Sequence, residues 1–135
     1  MVAKWVWVNG CFDILHRGHI ELFKYARSLG DHLVVGLDED ERIKQSKGEA
    51  RPINSLEDRI EMLRSIKYID DVVWFGTDCE LETKILLSGA DVMVVGSDYK
   101  NKKVIGSQHV KEVKFFDRMG DYSTTNIIEK NVAQN

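Results

Sequence analysis

The sequence predicts an α/β fold, a Rossmann-like three-layer sandwich with a five-stranded parallel sheet. Short apolar runs alternate with helical patterns along the whole chain. Strands separated by helices pair in parallel, because each helix returns the chain to the sheet edge at which the next strand starts. The run 33–37 is continuously apolar, which is typical of a strand buried on both faces.

The individual elements follow from the spacing of apolar residues. The five expected strands are 5–8, 33–37, 71–75, 92–95 and 113–116. The first expected helix has one apolar face made of Ile20, Phe23, Ala26 and Leu29, and Gly30 is a natural residue to follow its end. Further helices are expected at 56–66, at 81–87 and from 123 onward, whereas 38–54 is expected to be a polar loop. No repeat or linker interrupts the chain, so residues 1–135 are expected to form a single domain.

Composition and charge exclude several classes of function. The chain of 135 residues is 43% hydrophobic and 30% charged with one proline, which is typical of a folded domain. Its formal charge of −3 argues against nucleic-acid binding, which requires a basic face. No run approaches the roughly 18 apolar residues of a membrane span, and no signal peptide is recognisable. Two cysteines without metal-ligand spacing indicate reduced thiols, so a cytoplasmic location is expected.

The most informative segment is 9–19, Asn-Gly-Cys-Phe-Asp-Ile-Leu-His-Arg-Gly-His, which joins the first strand to the first helix. Open α/β sheets bind ligands at such junctions, beside the N-terminus of a helix. His16 and His19 can donate hydrogen bonds to a phosphate when neutral and bind it more strongly when protonated. Gly18 lets a backbone N–H approach the same anion. From these residues alone, phosphate binding and helix capping with packing are both open.

A hydroxylated run near the end of the chain is a second candidate. The chain has neither a Gly-x-Gly-x-x-Gly after the first strand nor a Walker sequence ending in Gly-Lys-Ser/Thr, so rival nucleotide sites lack their motifs. Ser123, Thr124 and Thr125 form either a helix N-cap or, with the helix dipole, a second phosphate-binding terminus. Arg118, shortly before them, could add a bidentate phosphate contact.

Two further candidate segments lie between the segment 9–19 and the hydroxylated run 123–125. One is a basic stretch with Lys44, Lys47, Arg51 and Arg59. It is either a solvated face or a movable lid that closes over a triphosphate. The other is the turn with Gly96 and Asp98 after the fourth strand, where Asp98 could help to hold a metal or a ligand hydroxyl. Ordinary turn chemistry explains the same two residues.

Together these motifs resemble those of the cytidylyltransferase-like nucleotidyltransferase superfamily, the His-x-Gly-His class. Segment 9–19 is similar to the first family motif and 123–125 to the second, so the resemblance covers nearly the whole chain. The segments 47–52, 96–100, 105–107 and 123–128 look most like the adenylyltransferase domains of ADP-heptose synthases. Glycerol-3-phosphate cytidylyltransferases are the next most similar group. Ser97 is a departure, since the heptose enzymes usually carry a glycine there.

The resemblance implies a reaction in which an acceptor phosphate attacks the α-phosphorus of a nucleoside triphosphate and pyrophosphate leaves. The acceptor would be a sugar or polyol phosphate. His16 and His19 would stabilise charge on the α-phosphate and on the leaving group. Mg²⁺ is the implied cofactor, held mainly by phosphate oxygens and not by a protein metal site. The implied assembly is a homodimer.

The resemblance also implies roles for the other candidate residues. Lys44 or Lys47 would close over the triphosphate, and Arg118 would hold a phosphate. The implied nucleotide-binding residues, besides the two histidines, are Gly10, Cys11, Phe12, Gly18, Gly96, Asp98, Ser123, Thr124 and Thr125.

Three functions remain open at this point. The first is a heptose 1-phosphate adenylyltransferase that makes ADP-heptose, and the second is a CTP-dependent enzyme acting on glycerol 3-phosphate or a similar polyol phosphate. The third is a module that senses nucleotide without turnover, against which the intact histidines and hydroxylated run argue. The choice between ATP and CTP cannot be read from residue identity, because such folds recognise bases through backbone groups and loop shape. A sugar kinase, often fused to such domains, is expected to be a separate protein.

Overall fold

The structure is a computed structural model that describes residues 2–117. Its strands are β1 (Trp5–Gly10), β2 (His32–Asp38), β3 (Asp71–Phe75), β4 (Val92–Gly96) and β5 (Glu112–Phe116). Its helices are α1 (Arg17–Ser28), α2 (Asp40–Lys47), α3 (Leu56–Arg64) and α4 (Asp78–Ser88), and two short 3₁₀ turns are Ser97–Tyr99 and Ser107–His109. All five predicted strands are confirmed to within two residues at each end. The helix predicted from residue 123 lies outside the described residues.

The strand order explains where a ligand site forms. The sheet has the order β3-β2-β1-β4-β5, and every neighbouring pair is parallel. The chain passes from β1 outward to β3 and then returns to β4 on the other side of β1, so the strand order reverses between β1 and β4. At such a switch point the connections leave the two strands in opposite directions and open a crevice at their carboxyl ends. The segments that follow β1 and β4 adjoin this crevice.

Helices cover both faces of the sheet, which confirms the predicted three-layer sandwich. On one face, α1 and α3 bury Phe23, Ala26 and Leu63 against the strands. On the other face, α4 buries Leu81 and Ile85. Within residues 2–117, no helix has the length and apolar character needed to cross a membrane.

The expected polar loop at 38–54 is wrong for half of its length, because 40–47 form α2. This helix buries one side chain, Ile43, and is otherwise polar. A helix with one buried position has no repeating apolar face, which is the signal that sequence reasoning uses to recognise a helix.

Gly30 follows α1 as expected, but its backbone is not left-handed, since φ is positive only at Gly48, Gly89 and Gly106 among the described glycines. A Cβ at Gly30 would lie 2.7 Å from the backbone oxygen of Lys4. The glycine is therefore needed for the close approach of two backbone segments at the amino end of the sheet.

Candidate functional site

The segment between β1 and α1 brings both histidines to the N-terminus of the helix. His16 is the N-cap residue, with extended backbone (φ −140°, ψ 174°), and His19 is the third helical residue. Their rings stack with centroids 3.8 Å apart and planes inclined by 22°. Gly18 is the second residue of the helix. The positive end of the helix dipole and the N–H groups of the first turn make this position suitable for an anion.

His19 is held as a neutral hydrogen-bond donor. The backbone N–H of His16 donates to Nδ1 of His19 at 3.2 Å. A neutral imidazole whose Nδ1 accepts carries its proton on Nε2, so Nε2–H is available to donate. Burial, followed by the charges of His16 and Lys47, lowers the pKa of His19 to about 3. Of the two states expected for the histidines, His19 is therefore in the neutral, hydrogen-bond-donating one in the free protein near neutral pH.

Phe12 fixes the orientation of His19 from the core. Its ring is buried and meets the His19 ring edge-on, with centroids 5.4 Å apart, and meets Phe23 at 5.0 Å. The backbone of Phe12 has a positive φ of 46°, a conformation that costs of order 1–3 kcal/mol in a non-glycine residue. A Cβ at Gly10 would lie 3.1 Å from this ring, so Gly10 leaves the space that the ring occupies.

Cys11 is a neutral thiol and not a nucleophile. Its Sγ–H donates to Oδ2 of Asp38 at 3.5 Å. Burial, followed by the negative charge of Asp38, raises the pKa of Cys11 to about 11. The side chain thus joins the end of β2 to the segment that follows β1, whereas nucleophilic chemistry requires a thiolate.

The two predicted lysines lie in the last turn of α2. Of the two, Lys47 contributes to the pKa values of His19 and Cys11. Lys44 forms an exposed ion pair with Glu41 at 3.4 Å. After burial and His16, the charge of Lys47 is the third cause that lowers the pKa of His19, and it opposes the rise in the pKa of Cys11 that burial and Asp38 cause. Lys47 is therefore the better candidate for a triphosphate contact.

Asp13 is a buried residue that sequence reasoning missed. Its Oδ1 accepts from the backbone N–H of Asn54 at 2.8 Å, and its Oδ2 accepts from that of Ile53 at 2.7 Å and from Nε of Arg51 at 3.3 Å. The side-chain amide of Asn54 donates to the backbone oxygen of Asp13 at 2.6 Å. These bonds connect 51–54 to the segment 9–19, which is called the histidine segment below. The available signal was a carboxylate between the apolar residues 12 and 14.

Arg59 is fully buried, so its expected place on a basic face or lid is wrong. Its guanidinium donates to the backbone oxygens of Cys11 at 3.0 Å, Asp38 at 2.8 Å and Asn54 at 3.1 Å. It also donates to Oδ1 of Asp40 at 2.7 Å. With these partners, Arg59 connects segments of the protein and does not face a ligand.

The turn after β4 lies at the carboxyl end of a strand next to β1. Asp98 is exposed there, and a Cβ at Gly96 would lie 2.6 Å from its Oδ1, so Gly96 makes room for the carboxylate. Among residues 2–117, no group of three or more His, Cys, Asp or Glu side chains is placed to hold a metal. Arg118, Ser123, Thr124 and Thr125 lie outside the described residues.

Comparison with known proteins identifies the family. The sequence profile described as cytidylyltransferase-like matches residues 7–130, which is nearly the whole chain. The chain belongs to the cytidylyltransferase-like family. This membership confirms the predicted resemblance and identifies the chain as a nucleotidyltransferase of that class.

Similar curated proteins are much longer than this chain. The bifunctional protein HldE of Campylobacter concisus (strain 13826) is 51% identical over 129 residues, which cover 94% of this chain and 27% of that protein. The bifunctional protein HldE of Helicobacter hepaticus (strain ATCC 51449 / 3B1) is 49% identical over 127 residues, with 94% and 26% covered. The chain thus spans about a quarter of the length of these relatives.

Solved structures share the fold. A lipopolysaccharide core biosynthesis protein from Thermoplasma volcanium GSS1 superimposes with a TM-score of 0.71 at 26% identity, covering 88% of this chain and all of that one. A protein of unknown function from Archaeoglobus fulgidus gives a TM-score of 0.66 at 20% identity, covering 89% and 94%. The second likeness supports the fold alone.

Proposed function

We propose that this chain is a heptose 1-phosphate adenylyltransferase, which joins ATP to a sugar phosphate and releases pyrophosphate. The observation that carries the proposal is the pair of stacked histidines at the N-terminus of α1, with Nε2–H of His19 available to donate. The choice of ATP and of a heptose phosphate as the substrates rests on the motif resemblance. Relatives named HldE at about half identity, and a lipopolysaccharide core biosynthesis protein among the structural neighbours, support this choice.

The neutral state of His19 suits the proposed chemistry. An oxygen of the acceptor phosphate would attack the α-phosphorus while the bond to the β-phosphate oxygen breaks and pyrophosphate leaves in line. A phosphate monoester is already largely ionised near neutral pH, so no base is needed to remove a proton from the nucleophile. What remains is stabilisation of charge on the α-phosphate and leaving group, which a preorganised N–H donor provides.

The other binding groups are assigned by resemblance and by position. We assign Lys47 to the triphosphate, with Lys44 in a lesser role because it is paired with Glu41. Ser123, Thr124 and Thr125 are assigned to the β- and γ-phosphates, and Arg118 to a phosphate.

Mg²⁺, when bound, would offset the negative charge of the triphosphate and of the leaving pyrophosphate. The residues at the crevice fit an ion held mainly by phosphates. Asp98 is the exposed carboxylate there, whereas the carboxylates of Asp13 and Asp38 already accept hydrogen bonds from the protein.

We further propose a cytoplasmic homodimer, supported by the resemblance. Light scattering would give twice the 15.5 kDa chain mass if the dimer forms.

The experiment that tests the function is a matrix of triphosphates and acceptors with detection of pyrophosphate. ATP and CTP would each be combined with heptose 1-phosphate and with glycerol 3-phosphate, in the presence of Mg²⁺. Fastest release with ATP and heptose 1-phosphate is expected. Fastest release with CTP and glycerol 3-phosphate would replace the proposed substrates. Nucleotide binding without pyrophosphate release in any combination would contradict an enzymatic role.

A further inference from the structure

We propose that Arg59 is a positioning residue, which holds α2 and the segment 51–54 in register with the histidine segment. The proposal rests on the proposed function, because it concerns how that site is assembled. Arg59 lies in the first turns of α3, behind the site, and contacts no residue that we assign to the substrate except through the backbone oxygen of Cys11.

The four acceptors of Arg59 lie in three parts of the chain that meet at the site. Cys11 follows β1, Asp38 ends β2, Asp40 begins α2, and Asn54 precedes α3. Each of its three guanidinium nitrogens donates, to three backbone oxygens and one carboxylate in all, at distances from 2.7 to 3.1 Å. A planar guanidinium presents five donors in a fixed geometry, so it can define the mutual placement of several segments at once.

Burial separates this role from direct contact with substrate. Arg59 has no exposed surface, so its guanidinium cannot reach a triphosphate in the crevice. Burying a charge is costly unless hydrogen bonds and an opposite charge compensate it, and Asp40 supplies that charge. Asp13 adds a second buried connection by binding 51–54 from the histidine side.

The consequence of this network is a fixed relation between Lys47 and His19. Arg59 bonds the first residue of α2 to the segment after β1, and Lys47 is the last residue of the same helix. A further connection between the histidine segment and α2 runs from Cys11 through Asp38 to Arg42. Displacement of a catalytic group by about 1 Å can cost on the order of 100-fold in rate. Loss of the Arg59 contacts should therefore reduce turnover without removing any group that binds substrate.

The test compares Arg59→Lys with Leu63→Val in the full chain. Lysine keeps the positive charge, but a single ammonium group cannot span four acceptors in three parts of the chain. Leu63 is a fully buried residue of the same helix outside the network, so its truncation controls for a general loss of stability. Pyrophosphate release gives kcat and KM, and nitrogen NMR of the ring near neutral pH gives the tautomer of His19.

We expect Arg59→Lys to lower kcat by about 10- to 100-fold, the scale of a small displacement of catalytic groups. The same variant should replace the single Nε2–H tautomer of His19 with a mixture, because release of the Cys11 oxygen loosens the segment that carries His16, whose N–H holds Nδ1 of His19. Leu63→Val should keep the wild-type kcat and the single tautomer. Wild-type kcat and tautomer in Arg59→Lys, or an equal loss in Leu63→Val, would overturn the positioning role.

Asp40→Ala keeps the proposal testable if Arg59→Lys does not fold. Asp40 is partly exposed, and its removal deletes one contact of Arg59. Mixed His19 tautomers are expected, together with a loss in kcat of roughly 3- to 10-fold, smaller than that of Arg59→Lys because one hydrogen bond is lost. Wild-type behaviour in both readouts would overturn the proposal. If the wild-type protein released no pyrophosphate, the proposed function would fail, and the tautomer would still decide whether Arg59 positions His19.

Discussion

At the scale of single residues, protonation states and hydrogen bonds determine the charge of this site. His19 is neutral because it is half-buried beside His16 and Lys47, and its Nδ1 is already used as an acceptor. The imidazole therefore offers a directed N–H and no net charge to an incoming phosphate. Positive charge at the site comes instead from the helix dipole and from Lys47.

The lowered pKa of His19 should make folding stability depend on pH. The pKa is about 3 in the folded chain and about 6.5 when unfolded, so the contribution is complete above pH 6.5 and is lost as the pH falls toward 3. Between about pH 7.5 and about pH 5, we expect the wild-type unfolding free energy to fall by about 1–2 kcal/mol more than that of His19→Asn. Urea denaturation of both proteins at the two pH values measures this difference, and equal losses would contradict a neutral, half-buried imidazole.

At this scale the sequence identified the residues with recognisable chemistry and missed those whose role depends on burial. His16 and His19 were found because their spacing at a strand-to-helix junction is informative by itself. The sequence predicts Arg59 on a solvated face or a lid, because the four acceptors that surround it lie 5 to 48 positions away in sequence. Asp13 was missed for the same reason, since its partners are about 40 positions distant.

At the scale of secondary-structure elements, α2 is the element that carries positive charge toward the histidines. The first half of the predicted basic loop contains a helix, whose last turn carries Lys44 and Lys47. The strands were predictable because buried parallel strands are continuously apolar. The helix was not, because burial of Ile43 alone gives no periodic pattern.

The two lysines of α2 should differ in their effect on catalysis. We expect Lys47→Ala to lower kcat/KM for the triphosphate by roughly 10-fold, because its charge acts at the position of His19. Lys44→Ala should change it by less than about 3-fold, because an exposed ion pair contributes little. Steady-state kinetics of the two variants measure the ratio, and a larger loss in Lys44→Ala would contradict the assignment.

At the scale of the whole molecule, the carboxyl end of the sheet adjoins the candidate site, whereas the amino end contributes to stability. The carboxyl ends of β1 and β4 adjoin the crevice at the switch point, and the amino end of β1 is closed by backbone packing. The alternation of strands and helices was sufficient to predict the parallel sheet. The strand order, and with it the meeting of the segments after β1 and β4, was established by the structure because it depends on which strands pair.

Gly30→Ala should separate stability from activity. A methyl group there would lie 2.7 Å from the Lys4 oxygen, so the backbone must shift at a cost of about 1–3 kcal/mol. The site is at the other end of β1, so kcat well below the unfolding temperature should equal that of the wild type. Denaturant titration and pyrophosphate release measure the two quantities. An unchanged stability, or a loss of kcat in the folded variant, would contradict this division.

The central claim is that the histidines at the N-terminus of α1 carry nucleotidyl transfer, and turnover of His19→Ala tests it most directly. The measurement is kcat for pyrophosphate release with the best triphosphate and acceptor, in a variant shown to be folded. We expect a loss of roughly 10²–10³-fold, the scale for removal of one preorganised donor, with the KM for the sugar phosphate nearly unchanged. A folded His19→Ala protein that releases pyrophosphate at the wild-type rate would contradict the claim.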